Sequence, residues 1–351
     1  MSQVITSRQH RPRRTLRWTT ATAAAVCALA LVACSGTSGT GSGSASDTEA
    51  GSNGSAKPFS RLDIMAPAAP GGGWDGTARA MGAAIESADL AKSVTVKNVE
   101  GAGGTVGLAQ LANDKSDSSL MVMGLVMVGA IATNQSPATL TDVTPIARLT
   151  AEDEVIVVPA ASPYKTIKDL TDAMKAKGRG ITITGGSAGG TDHIVAGLLT
   201  KAIGMSPSDL NYIPYSGGGE SLAALLGNKV QAGISGVSEY AEQIKAGKLR
   251  ALAVAGPAKV DGVDAPTLKE SGYDVELINW RGVVAPGGLS ADATKRLVDT
   301  VTAMHDSQAW KDALAKNGWS DTFLAGDEFA SYINTEITTT EGVLKDLGLV
   351  K

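Results

Sequence analysis

Apolar and polar positions along this chain follow two rhythms, and together they divide it. Short runs rich in aliphatic and β-branched residues predict strands at 61–66, 93–99, 120–126, 154–159, 180–184, 211–214, 232–235, 250–255 and 276–280. Between them apolar residues recur at helical spacing, as over 77–85, 191–203, 221–226 and 239–246. Strand–helix alternation of this kind predicts an α/β fold with mostly parallel sheets. The ending differs, because 291–305, 308–316 and 327–347 read as consecutive helices, which pack on a first lobe once the chain has returned from a second. Two crossings are expected, near 147–163 and 275–286, giving one lobe of 58–158 with 286–351 and another of 159–285.

The first residues follow neither rhythm. Arg8, Arg11, Arg13, Arg14 and Arg17 precede an apolar stretch at 19–33 with no acid among them, the pattern of a secretory signal peptide over 1–33. The stretch is shorter than the ~20 apolar residues that span a bilayer. It ends Leu31-Val32-Ala33-Cys34, which resembles the lipobox of bacterial lipoproteins, where the cysteine is acylated and becomes the mature N-terminus. Arg13-Arg14 leaves twin-arginine export open beside the general route. Residues 34–57, almost all Gly, Ser, Thr and Ala, read as a flexible tether on that lipid. The only cysteines are Cys27 and Cys34, so the folded body holds neither a disulfide nor a thiolate site.

Composition narrows the function. With 43% apolar residues and a net charge of -4, the chain fits neither a disordered tail nor a nucleic-acid binder. Removing 1–33 takes away five arginines and no acid, so the charge of -4 becomes -9. Any anion held by this protein therefore needs local donors. Glycine supplies a candidate: its 42 residues cluster in loops that follow a strand and precede a helix. These are 67–75 (PAAPGGGWD), 185–193 (GGSAGGTDH) and 215–220 (YSGGGE). Helix N-termini present free N–H groups and a positive dipole end to an anion, and glycine lets the backbone approach it. The candidate ligand-binding residues are Pro70, Gly71, Gly72, Gly73 and Asp75 in the first loop and Ser187, Gly189, Gly190, Thr191 and His193 in the second. The third contributes Tyr215, Ser216, Gly217, Gly218 and Gly219. Tight turn geometry alone is the competing reading of each loop. A fourth cluster, 101–107 (GAGGTVG), reads as a turn or as a secondary wall of the same site, and no loop ends in the Gly-Lys-Ser/Thr of a nucleotide phosphate cradle.

These motifs, with Leu225-Leu226-Gly227, 247–254 (GKLRALAV) and 279–282 (NWRG), resemble the tripartite tricarboxylate transporter solute-binding receptors, the Bug-type periplasmic proteins, from about residue 61 to the C-terminus. The GGGWD, GGGE and NWRG forms are similar to the tricarboxylate-receptor branch; Ala68-Ala69 departs from the aromatic and proline of the broad family. The resemblance implies a two-lobed periplasmic-binding-protein-like fold that closes on a di- or tricarboxylate, citrate-like in this branch, and delivers it to membrane permease subunits. A carboxylate-sensing module that signals to a membrane kinase is the alternative. A monomer that is not an enzyme, needs no cofactor or metal and binds no nucleic acid is expected.

His193 and His305 are the only histidines beyond the signal, too few for a metal site. His193 with Ser187 lacks the Gly-x-Ser-x-Gly elbow of a hydrolase, so a hydrogen bond to ligand or loop is the expected role of His193. Asp75 and Glu220 read as first-turn acids that satisfy backbone N–H groups, or as groups ordering a loop beside the ligand. Arg281 is the candidate cation, gripping a carboxylate with Trp280 stacked on it, or serving as an interlobe salt bridge. Arg148 is a weaker candidate, and Trp74 and Trp280 read as cleft walls or as core.

Overall fold

A central strand of a parallel sheet is covered on both faces, and β1 (Leu62–Ala66) largely meets that condition: Leu62, Ile64 and Ala66 are fully buried on one face and Met65 is buried on the other. The computed structural model describes residues 57–351; the signal segment, Cys34 and the tether before Lys57 lie outside the described residues. β1 leads through α1 (Gly73–Ser87) to β2 (Val94–Asn98), and α2 (Thr105–Asn113) leads on to β3 (Ser119–Gly124). Both β2 and β3 pair in parallel with β1. α3 (Leu125–Thr133) follows β3 without a loop.

The next strand, β4 (Val143–Pro159), is 17 residues long and serves two sheets. Beyond it come α4 (Ile167–Lys177), β5 (Thr182–Gly185), α5 (Thr191–Ala202), β6 (Asn211–Pro214), α6 (Gly218–Leu226), β7 (Ala232–Gly236), α7 (Val237–Lys245) and β8 (Leu249–Val254). β6 and β7 flank β5 in parallel, while β7 and β8 lie antiparallel to the second half of β4, from Glu154 to Pro159. That half alternates cleanly. Ile156 and Val158 face the core built on α5, and Val155 and Val157 face the one built on Leu225 and Tyr240. The first half of β4, up to Asp153, pairs antiparallel with β9 (Ile278–Pro286), which in turn pairs with β3. The parallel order expected from the alternation therefore holds within β1–β3 and within β5–β7, while every pairing made by β4 and β9, that with β8 included, is antiparallel.

α8 (Ala291–Asp306), α9 (Gln308–Asn317) and α10 (Gly326–Asp346) follow, and Leu297, Val301, Trp310 and Phe329 complete the first lobe's core. Two features depart from the sequence reading. β10 (Ser320–Ala325) is a strand that its polar, half-exposed residues do not announce; it forms by pairing with β4. The end of α10 also leaves the first lobe, with Leu344 and Leu347 packing on Ile194 of α5 and Asp346 pairing with Lys201 at 3.0 Å.

Candidate functional site

The loops after β1, β2, β5, β6 and β7 open towards one another across the gap between the lobes. They line a half-enclosed cavity of about 70 Å³. The first lobe contributes Pro67, Ala68, Gly72, Gly73, Trp74, Gly101, Gly103 and Gly104, and the second contributes Gly186, Ser187, Ser216, Gly217, Gly218, Ser235 and Gly236. Val126, Asp192, Glu239, Asn279 and Arg281 complete the wall. The fourth glycine cluster is thus part of it. Gly104 has φ +89°, and a side chain there would meet the Trp74 ring at 2.6 Å, so glycine is needed both for the turn and for the close approach.

Of the residues singled out from the sequence, Gly72, Gly73, Ser187, Ser216, Gly217, Gly218 and Arg281 line this cavity. Tyr215 lines an adjoining, more open recess with Ser216 and Ser187. Pro70, Gly71, Asp75, Gly189, Gly190, Thr191, His193 and Gly219 do not line the cavity. Three acids shape these loops, each folding back to accept from an amide of its own loop. Asp75 accepts from Gly71 at 2.9 Å, Asp192 from Gly186 at 2.5 Å and Glu220 from Ser216 at 3.0 Å. Asp75 also pairs with Arg79 and Asn98, and although burial works against its charge these partners hold its carboxyl below the usual value. His193 Nδ1 accepts from the Gly189 amide at 3.1 Å and its ring stacks on Tyr212 at 4.2 Å, beside an outer recess. Burial pushes it down to about 4, so the imidazole is neutral and braces the loop. Thr191 donates to Asn279 at 3.4 Å.

Arg281 is the cation of the cavity and is 2% exposed. Its guanidinium lies directly against the α1 N-terminus: a Cβ on Gly73 would stand 2.7 Å from Arg281 Cζ. Nη2 donates to Glu152 Oε1, while Nη1 is buried with no hydrogen-bond partner. Burial alone pulls the group down to about 9, still charged at neutral pH, and Glu152 is its counter-ion. Glu152 is held in turn by Ser238 Oγ at 2.6 Å. The aromatic partner differs from the expected one. Trp280 donates to Glu336 at 2.7 Å and packs edge-on against Phe329 and Tyr332, whereas Trp319 lies 5.5 Å from Arg281 Cζ. The reason is strand alternation: Trp280 and Arg281 are neighbours on β9 and point to opposite faces. Arg148 donates to the Thr322 carbonyl at 2.6 Å, clamping β10 rather than facing the cavity.

The sequence reading missed the acids. Glu239, from the first turn of α7, reaches across the gap and accepts from the Gly73 amide at 2.9 Å with Oε1. Ser235 and the Gly218 amide lie near its other oxygen, but neither completes a hydrogen bond to it. Burial, then the charge of Asp192, pushes Glu239 up to about 7. Burial likewise raises Asp192 to about 6 against the pull of the Gly186 amide. Glu154, fully buried, is raised well above the usual range by burial and by Asp192 and Glu239, and accepts from Asn279 at 2.8 Å. One signal was available, since Ser235-Gly236 before α7 is another strand–glycine–helix junction. Among the described residues no group of three His, Cys, Asp or Glu is arranged to hold a metal ion, and no helix is long and apolar enough to cross a membrane.

Two α/β lobes joined by β4 and β9 around a half-enclosed interlobe cavity define a solute-binding protein of the periplasmic-binding-protein class. The chain belongs to the tripartite tricarboxylate transporter receptor family, whose profile matches residues 78–349. It is 26% identical to the protein BugT of Bordetella pertussis over 302 residues, covering 83% of this chain and 90% of that protein. The structure of the periplasmic binding protein BugD superposes with a TM-score of 0.74 at 25% identity, covering 83% of this chain and 98% of that one. MatC of Rhodopseudomonas palustris, solved with bound malate, has the same fold with a TM-score of 0.71 at 22% identity, covering 81% of this chain and 99% of that one. The family is described as a transporter receptor family, and BugD as a periplasmic binding protein.

The raised carboxyl of Glu239 has a consequence for stability. Its native state keeps a proton that the unfolded chain releases above the ordinary value of 4.5, so the group costs stability progressively as pH climbs from there through about 7. Glu239→Gln keeps the acceptor for the Gly73 amide and removes that cost. In the ligand-free protein the variant should melt several degrees above the parent at about pH 8 and level with it at about pH 4. Thermal unfolding by circular dichroism at the two pH values checks this.

Proposed function

We propose that this chain is an extracytoplasmic receptor, tethered by a lipid on Cys34, that captures a small di- or tricarboxylate by lobe closure and delivers it to the permease of its transporter. The carrying observation is Arg281: a buried guanidinium that lines the cavity and leaves Nη1 without a partner, so that a ligand carboxylate oxygen would complete its hydrogen bonding. The α1 and α6 N-termini, with Gly72, Gly73, Gly217 and Gly218, open towards the same space and favour negative charge. That MatC was solved with malate supports a small carboxylate, and the tricarboxylate-branch motifs favour a citrate-like acid.

The lobes proposed to move are 58–158 with 286–351 and 159–285, meeting on β4 and β9. Their closed form brings Gly72 and Gly73 of one lobe against Gly217, Gly218 and Glu239 of the other. A ligand that touches both sides favours this form over an open one. The protein's own residues bind and orient the ligand: Arg281 supplies charge and the glycine loops supply amides. No bond of the ligand is made or broken in this cycle.

Calorimetric titration with malate, succinate and citrate tests the reading. Arg281→Lys keeps a charge beside Glu152 but not the planar fork, and should weaken the binding carboxylate about tenfold to a hundredfold, equivalent to roughly 1.5 to 3 kcal/mol. Unchanged affinity in a folded Arg281→Lys protein would show that the residue is a strut only. For the anchor, mass spectrometry of membrane-associated protein should find an acylated Cys34 as the first residue, and Cys34→Ala protein should leave the membrane. Retention of that variant on the membrane removes the lipid from the proposal.

A further inference from the structure

The cavity that is to receive a carboxylate already holds a carboxyl group of its own. Glu239 Oε1 is committed to the Gly73 amide, and Oε2 is buried in the cavity wall without a partner. Arg281 does not neutralise it, because Glu152 already pairs with that guanidinium. A ligand oxyanion seated between Arg281 and the glycine loops therefore comes to lie against a second carboxylate in a partly enclosed space, where two carboxylates that share a site do not both stay ionised.

We propose that Glu239 is a ligand-binding residue that takes up a proton with the carboxylate: one proton from solution bonds to Oε2, and the resulting O–H donates to a ligand carboxylate oxygen. This rests on the carboxylate reading above and gives it a proton stoichiometry. The charges around Glu239 agree. From β4, burial raises the Glu154 carboxyl well above the usual range and Glu152 is spent on Arg281; from α5, Asp192 adds negative charge and raises Glu239 further. Tyr240, beside it on α7, exchanges a hydrogen bond with Ser221 at 2.6 Å and stays neutral. On α6, Glu220 is turned to the Ser216 amide, and the charged residue of β8, Arg250, donates to carbonyls at Ala160 and Tyr164. β7 carries no charged residue. In the empty protein Glu239 titrates at about 7, so at mildly alkaline pH it is ionised and has to gain the proton on binding.

Full-length protein is titrated calorimetrically with malate, succinate and citrate in Tris and in triethanolamine, cationic buffers that do not compete for an anion site and differ in heat of ionisation. The difference in observed heat counts protons. At about pH 8 close to one proton should be taken up per ligand, falling towards none at about pH 6. The dissociation constant should rise about tenfold between about pH 7 and about pH 8.5. In Glu239→Gln, whose amide donates without titrating, both the uptake and the pH dependence should vanish. Binding by the parent without proton uptake, or pH dependence that survives in Glu239→Gln, overturns the proposal while leaving the carboxylate reading intact. If none of the three acids binds at either pH, the carboxylate reading itself fails and the proposal falls with it.

Discussion

Everything in the interlobe site is arranged around one buried charge. Arg281 sits on β9 with almost no solvent contact, and a guanidinium in that position is tolerated only with a counter-ion at contact distance. Glu152 on β4 is that counter-ion, and Ser238 at the start of α7 fixes Glu152 in its turn. One ion pair thereby ties the two joining strands to a helix of the second lobe. Removing either partner leaves an uncompensated buried charge, which costs about 3 to 5 kcal/mol, a large part of a domain's stability. The same pair leaves Nη1 free, so the strut and the candidate ligand contact are two ends of one group.

A protein with net negative charge holding an anion has to separate global from local electrostatics. Here the separation is made by dipoles. Helices α1, α5 and α6 each begin at a glycine-rich loop, and the acid in or beside each first turn is turned back onto an amide of its own loop. The acids that look misplaced in the sequence are therefore used to shape the loops. Glu239 is the exception, since it crosses the gap to the α1 N-terminus and occupies a donor that an anion would also use. It joins the titrating carboxyl of the cavity to the contact between the two sides of the gap.

Much of this was legible beforehand because it depends on local rules. Strand–helix alternation and the three glycine loops are patterns of near neighbours, and they located the cavity wall down to Gly72, Gly73, Ser187, Gly217 and Gly218. What escaped depends on partners far apart in sequence. The sequence pattern begins β4 only at Glu154; the strand starts at Val143, and inside it Glu152 pairs with Arg281 and Glu154 with Asn279. His193, expected to hydrogen-bond either the ligand or its loop, takes the loop, as an acceptor rather than a donor, with Nδ1 accepting from Gly189 and the ring lying on Tyr212. Trp280 adjoins Arg281 in sequence, but the pleat turns the two side chains apart and gives the place near the guanidinium to Trp319. β10 takes its form from the free edge of β4 rather than from its own residues.

The central claim is that the half-enclosed space between the lobes receives a carboxylate at Arg281. A crystal structure grown with the tightest binder among malate, succinate and citrate tests it most directly. A ligand carboxylate within hydrogen-bond distance of Arg281 Nη1, contacted by amides from both lobes and adjoining Glu239 Oε2, is the predicted result. A ligand bound outside this cavity, or one inside it that leaves Nη1 untouched, would contradict the account.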